Sequence, residues 1–186
     1  MSPEKNENSV DLGTFEATAL PHMNDLYRAA SSILRNPTEA EDVVQETFLQ
    51  AWKSFHRFET GTNCRAWLFK IMFHVIDHHR RKWYRLNLVK DEEVNLEELL
   101  VYEPPVAENI TDADVLAAFK EIPAPYREVV LLSDVYEFSY KEIQDTLGIP
   151  AGTVMSRLSR GRQLLRSQLT RLTPPTCPPL SMAQAL

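Results

Sequence analysis

Residues 138–169 read FSYKEIQDTLGIPAGTVMSRLSRGRQLLRSQL, and their spacing predicts a helix, a tight turn and a second helix. Ile143 and Leu147 share one side of the first helix. Gly148-Ile149-Pro150 ends it: glycine supplies the backbone geometry that stops a helix, and proline disfavours helix at the residue before it. The second helix starts near Ala151 and runs past Leu165. Val154, Leu158, Leu164/Leu165 and Leu169 recur at helical spacing along one face. Ser156, Arg157, Ser159, Arg160, Arg162 and Arg166 occupy the other. From Gly152 to Arg171 there are five arginines, no lysine and no acid.

An uncompensated cationic face on the second helix of a helix-turn-helix is suited to the DNA major groove. Arginine forks onto guanine edges, and serine and arginine fix phosphates. A merely solvated helix would carry glutamates to balance its arginines.

Charge along the whole chain is segregated. The net charge of −6 hides +6 over residues 61–90 and +5 over 152–186, against −5 over 1–60, −9 over 91–128 and −3 over 129–151. Two basic blocks around an acidic one imply two DNA-facing modules joined by an acidic connector. The 186 residues suffice for two small domains, and 44% hydrophobic with 25% charged residues is a globular composition. Five glycines and long helical periodicities imply an all-α fold. No apolar run is long enough to span a membrane, and the N-terminus has no secretory pattern. Cys64 and Cys177 stand far apart in unlike contexts, which fits a reducing cytoplasm.

From the N-terminus, residues 1–12 read as disordered. A helix is expected from Phe15 to about Leu34, burying Leu26, Ala29/Ala30 and Ile33, and Asn36-Pro37 ends it. Thr38 and Glu41 form a capping-box pattern for a helix running to about Phe55. Val44, Phe48, Ala51/Trp52 and Phe55 make its apolar stripe, with Asp42, Gln45, Glu46, Leu49 and Lys53 elsewhere. After a loop at 56–63, Asn63 caps a helix from Cys64 to about Tyr84. One side of it reads Leu68, Ile71, Met72, Val75 and His79; the other reads Trp67, Lys70, His74, Asp77, His78 and Arg81, followed by Lys82 and Arg85. Aromatic and cationic groups on one face can stack unpaired bases and neutralise a backbone.

Residues 86–110 are acidic, end near Pro104-Pro105 and read as a linker, with a short helical turn around Leu96, Leu99 and Leu100. Thr111 caps the next helix, and Tyr126 to about Val135 forms another that packs under the helix-turn-helix. The proline-rich end, 173–186, reads as a disordered tail.

His74 and His78 lie four apart beside Asp77 and His79, but transition metals need three or four convergent ligands, so no metal and no cofactor are expected. No nucleophile–base pairing and no glycine-rich phosphate loop is present, so nothing points to an enzyme.

Two long patterns carry a resemblance. Residues 36–81 include A-E-D-x-V-Q-E-T-F-x-x-A-W and R-A-W-L-F-x-I. Residues 111–169 include P-x-x-Y-R-E-V-V-L-L at 123–132, Y-K-E-I at 140–143 and G-T-V-M-S-R-L-x-R-G-R at 152–162. The chain resembles bacterial extracytoplasmic-function (ECF) sigma factors, most like those paired with zinc-containing anti-sigma proteins. The resemblance implies a region-two bundle at 13–85, an acidic linker at 86–110 and a region-four helix-turn-helix at 111–172. It implies binding to core RNA polymerase (β and β′ subunits) through Asp42, Gln45, Glu46, Leu49 and Lys53. Minus-ten DNA falls to Phe58, Asn63, Trp67, Lys70, His74, Asp77 and Arg81. Minus-thirty-five DNA falls to Ser139, Lys141, Thr153, Met155, Ser156, Arg157, Ser159, Arg160 and Arg162. It further implies an anti-sigma partner and a free monomer.

His74 stands where many relatives carry asparagine in the base pocket, and Met155 where some carry arginine. Both departures bear on base preference. The rival reading, a stand-alone helix-turn-helix regulator, explains residues 111–169 but leaves Asp42 to Trp52 and the Trp67 face without a use.

Overall fold

The computed structural model describes residues 12–34, 36–87 and 110–172. The expectations for residues 1–11, for the connector over 88–109 and for the tail with Cys177 lie outside the described residues. Among the described residues, eight α-helices follow one another: α1 (Leu12–Ala19), α2 (Met23–Leu34), α3 (Pro37–Ser54), α4 (Cys64–Asn87), α5 (Asp112–Glu121), α6 (Ala124–Val130), α7 (Tyr140–Leu147) and α8 (Ala151–Leu172). Among the described residues there is no strand.

Three boundaries differ from the sequence reading. The single helix expected from Phe15 to Leu34 is two helices joined by a 3₁₀ turn at Leu20–His22. Pro21 has no N–H to donate and cannot sit inside a continuous helix. The cap of α3 is Asn36, not Thr38: its Oδ1 accepts from the Thr38 N–H at 3.1 Å, and Pro37 opens the helix. The helix expected from Tyr126 to Val135 is α6 followed by a π-helical turn over Leu131–Val135.

The helix-turn-helix forms where expected. Ser139 caps α7 in a reciprocal box with Glu142. Gly148 closes α7 at φ +65, a left-handed conformation that glycine adopts without strain. Val154, Leu158, Leu164 and Leu169 of α8 are buried, and Leu165 is half-buried. Gly161 is where α8 meets α6: a Cβ there would stand 2.5 Å from Val130 Cγ2 and 3.1 Å from the Tyr126 carbonyl oxygen.

The N-terminal half, α1–α4, and the C-terminal half, α5–α8, share one hydrophobic cluster. Helix α4 packs on α1, α2 and α3 and also on α7, and α2 touches α6. The sequence assigned α4 one apolar side through Leu68, Ile71, Met72 and Val75. The structure also buries Phe69, Phe73 and Ile76, and the second half covers Phe69, which would otherwise face solvent. Phe69 lies 4.7 Å from the Tyr136 ring and 5.2 Å from the Phe138 ring, centroid to centroid.

Both rings come from the segment between the π-helical turn and α7, where Glu137 adopts φ +57. Arg127 sits at the centre of the junction. Its guanidinium donates to the carbonyls of Lys120 and Ile122 at the end of α5, and to that of Ile33 in the last turn of α2. A cation is favoured where the carbonyls of helix C-termini converge.

Candidate nucleic-acid interface

Helix α4 presents Asn63, Trp67, Lys70, His74, Asp77 and Arg81 at successive steps of four, three, four, three and four residues, which is a single stripe. Lys70, His74, Asp77 and Arg81 are exposed, and Asp77 lies 4.0 Å from Arg80. Trp67 and Phe58 are half-buried. Their ring centroids are 5.0 Å apart, and Phe58 stacks on Phe55 at 5.6 Å with planes 14° apart. Phe55 in turn meets Phe15 edge-on. The two aromatic residues expected at unpaired bases therefore stand on a rigid aromatic stack, each with part of its surface open. Asn63 caps α4 by accepting from the Ala66 N–H at 3.1 Å.

The second cationic surface lies on α8. Met155 is 57% exposed, and Ser156, Ser159 and Arg160 are exposed too. Arg157 and Thr153 are half-buried. Ser139 and Lys141 are exposed at the start of α7, although the Ser139 hydroxyl is engaged with Glu142. Arg162 differs from its neighbours: its guanidinium forks onto Asp134 at 2.6 and 3.0 Å. That hydrogen bonding holds the Asp134 carboxyl below the usual carboxylate range, against a smaller opposing effect of burial.

On α3, Asp42, Gln45, Leu49 and Lys53 are exposed along one face, with Leu49 at 51%. Glu46 is half-buried and tied to His79 at 2.8 Å, a contact that keeps its carboxyl below the usual range. Among the described residues no three His, Cys, Asp or Glu side chains are grouped to hold a metal ion. No described helix is long and apolar enough to cross a membrane. Burial pushes the Cys64 thiol up, away from reactive thiolate chemistry.

The stripe on α4 and the helix-turn-helix face each other across a cleft of about 840 Å³. Trp67, Lys70, His74, Asp77 and Arg81 line one wall; Asp145 to Ile149 and Arg157 line the other. The structure thus brings most of the minus-ten candidates together with one minus-thirty-five candidate. The other α8 candidates and the α3 face do not line this cleft.

Apart from Asn63, sequence reasoning did not single out the residues that hold the two halves together. Arg65 donates to the Tyr136 carbonyl and lies 5.2 and 5.3 Å from the Tyr136 and Phe138 ring centroids. The Tyr136 hydroxyl donates to the Asp25 carbonyl at 2.9 Å. The Asn63 amide donates to Glu142 Oε1 at 2.6 Å. Arg80 meets buried Glu128 at 2.8 Å, as a charge contact rather than an aligned hydrogen bond. Burial pushes the Glu128 carboxyl above its ordinary range, against the pull of Arg80. One signal was available in the sequence: Arg127-Glu128 interrupts an otherwise apolar run, and charges in such a run need buried partners.

Known proteins share this arrangement of elements. Residues 19–85 match sigma-70 region 2 and residues 112–165 match sigma-70 region 4. The chain is 34% identical over 157 residues to the ECF RNA polymerase sigma factor SigE of Mycolicibacterium smegmatis, covering 81% of this chain and 59% of SigE. It is 32% identical over 163 residues to SigW of Bacillus subtilis, covering 81% of this chain and 86% of SigW.

Among solved structures, the sigma factor RpoE of Bartonella quintana, in complex with the anti-sigma factor NepR, superposes with a TM-score of 0.68 at 29% identity. That match covers 86% of this chain and 98% of that one. CnrH, in complex with the cytosolic domain of CnrY, superposes at 0.61 with 26% identity, covering 88% and 92%. With both halves matched in order, and with a relative of this identity aligned over most of its length, the chain belongs to the ECF family of RNA polymerase sigma factors.

Proposed function

We propose that this chain binds core RNA polymerase and directs it to promoters. The outer face of α3, through Asp42, Gln45, Glu46, Leu49 and Lys53, docks on the polymerase across a polar interface. The α4 stripe takes the melted minus-ten strand. An unpaired base offers its stacking face to the Phe58–Trp67 pair and its Watson–Crick edge to Asn63 and His74. Helix α8 enters the major groove at the minus-thirty-five element, with Arg160 and Arg157 toward base edges and Ser156 and Ser159 toward phosphates. Two exposed cationic surfaces, one on each family-matched half, support this reading most.

An anti-sigma partner belongs to the same proposal. It is supported by the likeness, over 86% of the chain, to a sigma factor solved in complex with an anti-sigma factor. The wording of residues 152–162 favours the zinc-containing class of partner. A neighbouring reading frame encoding His-x-x-x-Cys-x-x-Cys tests that point.

The direct test is reconstitution with core polymerase and a promoter library, scored for transcription starts. The expected result is sequence-specific initiation. Arg160→Ala weakens minus-thirty-five dependence while polymerase binding persists, and Asp42→Lys abolishes polymerase binding. Absence of both stimulated initiation and core binding would overturn the proposal.

A further inference from the structure

The two DNA-facing surfaces cannot both be used in the arrangement seen here. Asn63, the first residue of the α4 stripe, has its amide engaged with Glu142, the residue that completes the cap of α7. The rest of the stripe, although open to solvent, faces the α7–α8 turn across a cleft of about 840 Å³, so a strand laid along it would meet Asp145 to Ile149 and Arg157 on the opposite wall. The contacts that hold this arrangement are complete within the chain. Arg65 bonds the Tyr136 carbonyl and lies against two aromatic rings, Tyr136 bonds the Asp25 carbonyl, Arg127 bonds Ile33, and Arg80 pairs with Glu128. Phe69 is fully buried between the halves.

We propose that the chain inhibits itself: a clasp of Arg65 with Tyr136 and of Asn63 with Glu142 holds the minus-ten face beside the helix-turn-helix and occupies the Asn63 amide. The inference rests on the function proposed above and adds a competition to it. Glu142 and the minus-ten strand claim the same Asn63 amide, so the halves must separate before α4 can meet an unpaired base. Polymerase captures the open fraction, and its apparent affinity is reduced by that fraction. An anti-sigma protein would then reinforce a closure the chain already makes.

The test uses the full chain carrying Cys177→Ser, with donor and acceptor dyes on Glu16→Cys and Glu121→Cys, exposed positions on α1 and α5. Energy transfer reports separation of the halves without any partner, and association with core polymerase is measured in parallel. The expected result is a high-transfer population in this parent. Arg65→Ala combined with Tyr136→Phe shifts it to low transfer, leaves the far-ultraviolet circular dichroism unchanged and tightens polymerase binding about tenfold. Tyr136→Phe alone, which keeps the ring, gives a smaller shift in the same direction and covers the case in which the double variant misfolds.

Low transfer already in the parent would overturn the inference, as would opening of the variant with no gain in polymerase binding. If neither parent nor variant binds polymerase, the promoter-factor reading fails and inhibition fails with it. The dye distances still decide independently whether the clasp exists.

Discussion

Helices α4 and α8 are nearly equal in length, 24 and 22 residues, and each carries a cationic stripe, yet they are buried in different ways. Among the described residues, helix α8 packs mainly within its own half, on α5, α6 and α7. Helix α4 serves two masters: α1, α2 and α3 on one side and α7 of the other half on another. A helix with one packed face keeps its opposite face free for a ligand. A helix with two packed faces has its third face placed by both neighbours, so exposure of the α4 stripe depends on where the C-terminal half sits.

The largest expected effect breaks that contrast at Phe69, which belongs to the second packed face of α4. Phe69→Ala should cost about 3–5 kcal/mol and lower the midpoint of thermal unfolding of both halves together, read by circular dichroism with amide exchange in each half. A loss confined to the N-terminal half would mean that the halves are energetically independent.

Gly161→Ala should act on α8 alone. Its Cβ would meet the stiff Val130 side chain and the Tyr126 backbone, a strain of roughly 1–3 kcal/mol. Faster amide exchange is expected in α6 and α8 but not in α2 or α3. Equal acceleration in all four would show that α8 is coupled across the molecule as α4 is.

The smallest effect sharpens the comparison at the α8 surface. Arg162→Ala removes a half-exposed pair with Asp134 and should cost under about 1 kcal/mol. Because Arg162 holds the Asp134 carboxyl below its ordinary 3.8, the contribution is full above that value. It is lost as the pH falls through the depressed one. Urea midpoints of wild type and variant should differ at neutral pH and converge on acidification below 3.8. A gap that persists in acid would point to packing of the Arg162 stem rather than to charge.

The same contrast explains what was legible. The buried face of α8 followed from Val154, Leu158, Leu164 and Leu169 because a helix packed on one side writes its period into the sequence. The caps at Asn63 and Thr111 followed from local chemistry as well, since their partners lie three residues away. Phe69, Arg65, Arg127 and Tyr136 could not be read in this way. Their partners lie far along the chain, 94 residues from Arg127 to Ile33 and 111 from Tyr136 to Asp25, and no local period encodes such a pairing. The break at Pro21 was legible in principle, because proline inside a helical pattern ends or kinks it. Competing apolar periodicity on either side masked it.

One covalent fact gives the junction a further consequence. Helices α4 and α5 belong to the same polypeptide, so their two halves meet at a tethered local concentration on the order of millimolar. Dilution in a growing cell leaves that meeting unchanged, as does the copy number of the protein. Titre therefore cannot loosen it, and release falls to a rival surface that outcompetes one side of the embrace.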